Sequence, residues 1–227
     1  MKRVTLARIS IAAGSIFLLA AALLCGYNLW TAKRAEMISE EVGSQVRAAI
    51  EERISSSPWM SGTSGSEKDV AQDKEDSGSD TGRPEYIPDY VLNPEMNMPT
   101  IAVDETAYLG MISIPDLGLT LPVSSEWSYG QLAMTPCRYS GSAYLDNLVI
   151  MAHNYRQHFG RLNQLRTGSE VRITDADGNV FKYRVAEVEV LEPTDVGEMT
   201  AGDYPLTLFT CTLSGLTRFT VRCEKAD

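Results

Sequence analysis

Three side chains of the types that carry out acyl transfer lie in the C-terminal half of the chain: His153, Cys211 and Arg218. Cysteine catalysis needs a thiolate nucleophile, a proton donor for the leaving amine and a donor for the oxyanion. Cys211 and His153 could supply the first two. An arginine stays charged at any working pH, so Arg218 could hold the oxyanion and help to position an extended peptide.

Other interpretations of these residues are open. Most cysteines are buried structural thiols, and Cys211 could instead form a disulfide with Cys223 on an adjacent strand. His158 lies in the loop R-Q-H-F-G and is expected at the surface. Arg222 lies four residues after Arg218, and the alternation of a strand places both on one face. We expect Arg218 to be the functional arginine and Arg222→Lys to be mild.

The elements that would position these residues are strands. Residues 207–211 are strand formers that lead into Cys211, Ser214-Gly215 marks a turn, and a return strand begins at Arg218. Residues 147–152 form a continuous apolar run typical of a strand buried on both faces, and His153 follows it. Strand ends are where a scaffold presents side chains to a cleft.

The folded domain is expected to cover residues 106–227 and to be all-β. Short strands at close spacing predict a barrel or a sandwich, with a hairpin turn at Asp177-Gly178 and a bulge late in the longest strand. The predicted strands are 108–114, 119–123, 147–152, 170–174, 180–191, 207–211 and 218–224, with short helical turns in 127–134 and 161–165.

Composition narrows the function classes. The net charge is −10 and no basic patch points to nucleic acid. The four cysteines have no CxxC spacing and no neighbouring histidine pattern, so we expect neither a metal nor another cofactor.

The N-terminus predicts a single membrane span. Residues 1–8 are basic and would be cytoplasmic, and the uncharged run 9–32 is long enough for a transmembrane signal-anchor helix. A cleaved signal peptide has a shorter apolar region, and a lipoprotein site at Cys25 is disfavoured by Leu24 before it. The protein would then be a single-pass protein of the cell membrane with its folded domain outside.

Residues 33–105 are expected to connect the span to the domain. Apolar residues recur every four positions in 35–54, which predicts a helix that is either a juxtamembrane stalk, the favoured interpretation, or a weak self-association helix. Residues 55–83 have the composition of a flexible linker, and 84–100 read as extended chain lying against the domain. The connection is expected to hold the domain away from the bilayer.

Taken together, these motifs resemble the sortase family. Thr207–Cys211, T-L-F-T-C, is similar to the sortase signature TLxTC, and Arg218 stands on the following strand as the sortase arginine does. Leu109–Val123 resembles the sortase opening strands, and Tyr139–Tyr155 resembles the strand that carries the sortase histidine. The resemblance covers about residues 106–227.

The resemblance implies a closed β-barrel of about eight strands and a membrane-anchored cysteine transpeptidase. Cys211 would be the nucleophile, His153 the general acid/base, Arg218 the oxyanion and substrate donor, and Thr210 a further substrate contact. The partners would be secreted proteins with an LPxTG-like C-terminal sorting signal and an amine acceptor, usually a cell-wall precursor of a Gram-positive cell. No cofactor is implied.

Differences between this sequence and the patterns of the sortase classes indicate which class is favoured. Pro88-Asp89-Tyr90 has the wrong order for the lid of the pilus-building class C, and no second membrane helix follows the barrel before Asp227. Class B or another wall-anchoring type is therefore favoured, although residues 193–205 are short for the class B insertion. Alternatives are a tethered peptidase that only hydrolyses, a pilin-polymerising sortase and a non-catalytic surface-binding barrel.

Overall fold

The strand that ends at Cys211 lies near the middle of a nine-stranded sheet. The computed structural model describes residues 2–56, 87–201 and 203–226. The strand order is β1-β2-β3-β4-β5-β8-β9-β7-β6, and β6 also pairs with β2, so that eight strands close into a barrel. The strands are β1 Ile101–Val103, β2 Thr106–Ile114, β3 Leu119–Ser124, β4 Cys137–Ser140, β5 Leu148–Met151, β6 Glu170–Asp175, β7 Val180–Leu191, β8 Leu206–Cys211 and β9 Arg218–Lys225.

Closure of the barrel depends on β2, which changes partners along its length. Its first residues pair with β1, and the stretch from Gly110 to Ser113 pairs with β6. The register against β3 shifts between Tyr108 and Gly110, and Gly110 has φ +140°. A Cβ at Gly110 would collide with the carbonyl oxygen of Thr174. Only glycine therefore allows β6 to approach β2 here.

Strand alternation separates the interior of the barrel from an outer apolar layer. Leu148 and Ile150 of β5 and Leu206 and Leu208 of β8 are completely buried in the main core. Their sequence neighbours, such as Met151 and Phe209, pack together in a second cluster on the other face of the same strands. This second cluster forms where short helices and loops cover the outside of the barrel.

The predicted all-β barrel is confirmed, with strands and turns close to the expected bounds. The hairpin at Asp177-Gly178 is present, and the register of β7 against β9 shifts between Val185 and Glu187, as expected for a bulge. Two strands were not anticipated, β1 and β4. The described residues also form the helices α1 Lys2–Ser56, α2 Asp89–Leu92, α3 Tyr129–Leu132 and α4 Val196–Thr200, and 3-10 turns at Pro115–Leu117 and Leu162–Gln164.

The helix α1 is continuous from the apolar run to the barrel. From Ile11 onward it is long and apolar enough to cross a membrane, with a mean hydropathy of 1.8 in its apolar part. Its later turns pack on β1, β2 and β3, where Val46 and Ile50 are buried in a cluster with Met111. At Gly43, a Cβ would come within 3.4 Å of Pro122, so the helix lies close against the barrel.

The helix predicted in 35–54 is present within α1, but it does not stand free of the domain as a stalk. That residues 33–105 hold the domain away from the membrane stays a prediction. The apolar stripe of 35–54 packs on the barrel, because it covers apolar residues of the first strands. The chain after residue 86 also packs there: Tyr90 stacks on Tyr144 at 4.6 Å, and Met98 is buried. This confirms the expectation that residues near Tyr90 lie against the domain. The predicted flexible linker 55–83 lies outside the described residues from position 57 onward.

Substituting Val46 tests whether α1 is part of the folded unit. Val46→Asp would bury an unpaired carboxylate between helix and barrel, so the free energy of unfolding should fall by about 3 kcal/mol or more, or the helix should detach. Chemical denaturation in detergent measures the first outcome and limited proteolysis the second. Gln45→Asp, at the exposed neighbouring position, is the matched control. Equal stability of the two variants would contradict the packing.

Candidate active site

Three strands bring Cys211, His153 and Arg218 to one cleft on the outer face of the barrel. β5 and β8 run parallel, with Met151 opposite Phe209, so the residues that follow them emerge side by side. β9 runs antiparallel to β8, and Arg218 is the direct partner of Cys211. Cys211 lies two residues beyond outward-facing Phe209, and His153 two beyond Met151, which places them on the same face.

Hydrogen bonds continue the pairing of β5 and β8 beyond the last ladder residues. The Ala152 amide donates to the Phe209 carbonyl at 3.2 Å, and the Thr210 hydroxyl donates to the Ala152 carbonyl at 2.8 Å. The Asn154 side-chain amide donates to the Thr212 carbonyl at 3.4 Å. Thr210 is buried and its hydroxyl is used in this way, so its side chain fixes the two chain segments that carry Cys211 and His153.

All four cysteines are free. The proposed disulfide between Cys211 and Cys223 is excluded by the strand register, because Cys223 is opposite Leu206, at the other end of β8. Burial raises the pKa of both Cys137 and Cys223 to about 12, so these two thiols stay protonated and inert. Cys211 is half-buried at the end of its strand and opens onto the cleft.

The two arginines of β9 have different surroundings, although both side chains point outward as expected. The guanidinium of Arg218 is half-exposed and donates only to the carbonyl oxygens of Gly215 and Thr217, both at 3.3 Å. Among the described residues it has no carboxylate partner within 4.0 Å. Its charge is therefore available to a ligand in the cleft that it lines.

Arg222 is buried in a network that sequence reasoning missed. Its Nε donates to the Glu189 carboxylate at 2.6 Å. Its terminal nitrogens donate to the carbonyl oxygens of Glu198, at 2.8 Å, and Met199, at 3.3 Å. A further bond at 3.1 Å reaches the Thr207 hydroxyl. Arg222 thus ties α4 to the outer face of β7, β8 and β9, and the expectation that it is a tolerant position does not fit these contacts.

The loop after β5 contains a row of three neighbouring rings, tilted with respect to one another. The ring of Tyr155 lies 5.0 Å from that of His153 and 5.6 Å from that of His158. His158 was expected at the surface, but it is completely buried. The loop is polar in composition, so the sequence does not indicate this burial. Phe159 and Leu162, which follow His158 in the chain, are also buried in the main core.

Burial also sets the protonation of the two histidines. It lowers the pKa of His153 below the ordinary 6.5, so the imidazole is neutral near neutral pH and can accept a proton. Burial lowers the pKa of His158 to about 4, and the nearby His153 adds to this shift. The ring nitrogens of His158 make no hydrogen bond of normal geometry among the described residues.

The cleft itself is apolar and has a volume of about 210 Å³. Its floor is formed by Met151 and Phe209, and α4 contributes Met199 to one wall. Tyr139 packs edge-on against Phe209 at 5.4 Å, and Trp127 stacks on Tyr139 at 6.1 Å. His153, Cys211 and Arg218 line the same cleft, so the ionisable groups meet an apolar groove.

A second hollow of about 230 Å³ lies on the other side of Cys211. Asn154 and Asn163 line it together with Phe219 and Leu213. Cys211 therefore lines both hollows, and each of them is mainly apolar. Among residues 2–56, 87–201 and 203–226, no group of three His, Cys, Asp or Glu side chains could hold a metal ion.

Comparison with known proteins assigns the family. The model of the Sortase domain matches residues 112–226, half of the chain. The chain therefore belongs to the sortase family, whose members are cysteine transpeptidases. A comparison with curated proteins returned no match.

Solved structures with a similar fold are distant in sequence. A sortase D5 transpeptidase of Clostridium perfringens is 22% identical, with a TM-score of 0.47 over 53% of this chain and 79% of that one. Sortase C1 of Streptococcus suis is 24% identical, with a TM-score of 0.46 over 53% and 73%. Sortase C of C. perfringens SM101 is 20% identical, with a TM-score of 0.46 over 82% and 90%.

The buried His158 predicts a specific dependence of stability on pH. The unfolded chain takes up a proton near pH 6.5 and the folded chain only near pH 4. The free energy of unfolding should therefore fall as the pH drops through this window, with a contribution from His158 of about 3 kcal/mol. Denaturation at a series of pH values should show a shallower fall for His158→Phe. Identical pH profiles for the two proteins would show that His158 titrates normally.

The Arg222 network predicts a local effect on α4. Arg222→Lys keeps the charge but loses the planar set of donors, so the amides of residues 196–200 should exchange hydrogen for deuterium faster than in the parent protein. Mass spectrometry of the exchanged peptides measures this. Arg218→Lys, on the same strand but without a hydrogen bond to the described residues of α4, should leave that exchange unchanged. If both variants behave alike, Arg222 does not anchor α4.

Proposed function

We propose that this chain is a membrane-anchored sortase that cleaves an extended, LPxTG-like sorting signal and transfers the acyl part to an amine. The observation that carries this proposal is the shared cleft of His153, Cys211 and Arg218, with Arg218 directly opposite Cys211 in the strand register. The apolar floor next to the thiol suits an extended peptide segment with few charges. The apolar part of α1 is compatible with a membrane anchor.

The acylation half of the reaction follows from the surroundings of each group. The neutral His153 accepts the thiol proton of Cys211, and the thiolate attacks the scissile carbonyl. Arg218 stabilises the oxyanion of the tetrahedral intermediate. The C–N bond then breaks, His153 gives its proton to the leaving amine, and a thioester remains on Cys211.

The second half returns the enzyme to its starting state. An acceptor amine attacks the thioester, His153 takes the proton that this amine loses, and a new amide forms as the C–S bond breaks. The thiolate of Cys211 is then reprotonated from His153. Thr210 acts in both halves through its hydrogen bond to Ala152, which fixes the chain before His153. A role of Thr210 in substrate binding is proposed only for its backbone.

The partners proposed for this reaction are secreted proteins with a C-terminal sorting signal and an amine of a cell-wall precursor in a Gram-positive cell envelope. A wall-anchoring class, such as class B, is proposed ahead of pilus assembly. In support, Tyr90 of the segment Pro88–Tyr90 packs on Tyr144 and Phe181, not on the residues that line the cleft. This segment does not act as a lid in the observed arrangement.

The function is tested with a panel of fluorogenic sorting-signal peptides and an amine acceptor. Cys211→Ala should abolish cleavage. Arg218→Lys should lower kcat/KM by about 100-fold or more, because a point charge does not replace the guanidinium fork. Cys137→Ala, at a buried thiol outside the cleft, is the matched control and should retain activity.

Product analysis separates the proposed reaction from its alternatives. A transpeptidase gives the amide when the amine is present, whereas a tethered peptidase gives only the carboxylic acid. Transfer to a lysine-bearing pilin peptide in preference to a cell-wall precursor amine would favour the pilin-polymerising alternative. Cleavage that survives Cys211→Ala would refute the assignment of the nucleophile, and a Cys211 that resists alkylation would favour a non-catalytic barrel.

A further inference from the structure

The contact between α1 and the barrel begins where the apolar run ends. Every residue from 11 to 30 is exposed, and the first half-buried position is Thr31. Ala35, Ser39 and Val46 are then buried on one stripe of the helix. The apolar run predicted from the sequence ends at residue 32. No spacer therefore separates a membrane span in this helix from the folded domain.

One loop of the barrel lies against these first turns of the helix. Residues 153–161 contribute Tyr155 to a groove whose other side is formed by Trp30 and Arg34 of α1. Slightly further along the helix, Arg156 and Arg161 of the same loop line a second groove with Glu36 and Glu40. This loop also contains His153, whose ring lies 5.0 Å from that of Tyr155. Tyr155 in turn lines the groove beside Trp30.

The C-terminal end of α1 shows which part of the barrel lies farthest from the apolar run. Arg53, on the last turns of α1, pairs with Asp177 of the β6–β7 hairpin at 2.8 Å. Arg53 follows the end of the apolar run by about 30 Å of helix, at 1.5 Å per residue. The β6–β7 hairpin is thus far along α1 from the membrane segment, whereas the loop 153–161 is next to it.

We propose that the face of the barrel that carries loop 153–161 rests on the outer surface of the bilayer, where phospholipid headgroups contact it. This rests on the proposed function only in taking α1 as the membrane anchor. The catalytic cleft is then held at the membrane surface by a rigid helix. Its preferred substrates are those presented at that surface.

The chemistry of this face fits phospholipid headgroups. Tyr27 and Trp30 are exposed aromatic residues at the end of the apolar run, the types that favour the membrane interface. Lys33, Arg34 and Arg156 are exposed basic side chains in the same region, in a chain with a net charge of −10. Basic residues near a span bind the anionic surface of a membrane.

This face also contains carboxylates, and exposed apolar residues lie beside it. Glu36 pairs with Lys33 at 2.6 Å, and Glu40 is exposed next to it. Tyr129, beside the groove residue Gly130, is 83% exposed, and Leu213 in the β8–β9 turn is 98% exposed. Large apolar side chains exposed around a cleft are the kind of surface that contacts a membrane.

Photochemical crosslinking to lipid tests the placement without any need for activity. Benzoylphenylalanine would replace Arg156 in full-length Cys211→Ala protein, reconstituted in vesicles of phosphatidylethanolamine and phosphatidylglycerol. The matched control carries the same group in place of Lys182, an exposed basic residue close to the β6–β7 hairpin. Mass spectrometry should find several-fold more lipid adduct at position 156. No adduct there, or equal adduct at both positions, would overturn the proposal.

An activity measurement tests the consequence for substrates. A Gly-Ser-Gly insertion between Arg34 and Ala35 should free the barrel from the span, because such a linker is flexible. The measured quantity is the ratio of kcat/KM for a peptide displayed on the vesicle to kcat/KM for the same peptide in solution. This ratio should exceed one in the parent protein and fall toward one in this variant. The same insertion after Ser56 should leave the ratio unchanged.

The outcomes separate the proposal from the function on which it rests. Cleavage of the soluble peptide reports that each insertion variant is folded. A ratio near one in the parent protein, or a ratio that the first insertion does not change, would overturn the surface placement. If no peptide is cleaved by any of the proteins, the proposed function fails, and the crosslinking result still decides where the barrel lies.

Discussion

The parallel pairing of β5 with β8 is the constraint on which the rest of the site depends. Two parallel strands end on the same side of a sheet, so the residues that follow Met151 and Phe209 are forced to be neighbours. The bond from Thr210 to Ala152 extends this alignment by one step beyond the ladder. A parallel pair needs a long connection, and here residues between β5 and β8 supply it as β6, β7 and α4. The first strand of this connection, β6, also pairs with β2 and closes the barrel.

The site lies on the outside of the barrel, which explains its second apolar layer. The interior is filled by side chains, as is usual for a barrel of this size. A groove for a ligand must then be built on the outer face, from residues that strand alternation points away from the core. Met151 and Phe209 form its floor, and α4 covers one side through Arg222. The buried guanidinium of Arg222 donates hydrogen bonds to carbonyl oxygens of α4, so the loop that carries α4 is not held by apolar contacts alone.

Much of the fold follows from local signals. The continuous apolar run before His153, the alternation in β7 and the Asp-Gly turn each specify a strand or hairpin without reference to distant residues. β4 was missed because Cys137–Ser140 is short and mostly polar, and its pairing is supplied by β5. The candidate residues themselves were found from residue type and order, together with a family resemblance.

The remaining features depend on contacts between residues far apart in the chain. A four-residue apolar period in 35–54 has the same appearance whether the helix packs on another copy or on its own barrel. His158 was predicted at the surface because its loop is polar, but the folded chain buries it next to Tyr155. The partner of Arg222 is Glu189, on a different strand, and no local pattern relates the two. Such pairings are decided by topology, which the local sequence leaves open.

The packing of α1 and of the chain after residue 86 on the same barrel changes the physical role of what joins them. Both ends of residues 57–86 are fixed to one body, so this segment is a closed loop in the thermodynamic sense. The entropic cost of closing a loop increases slowly with its length, by about 0.6 kcal/mol of free energy for each doubling. Natural variation in the length and composition of this segment would therefore have little effect on the stability of the barrel or on the position of its cleft.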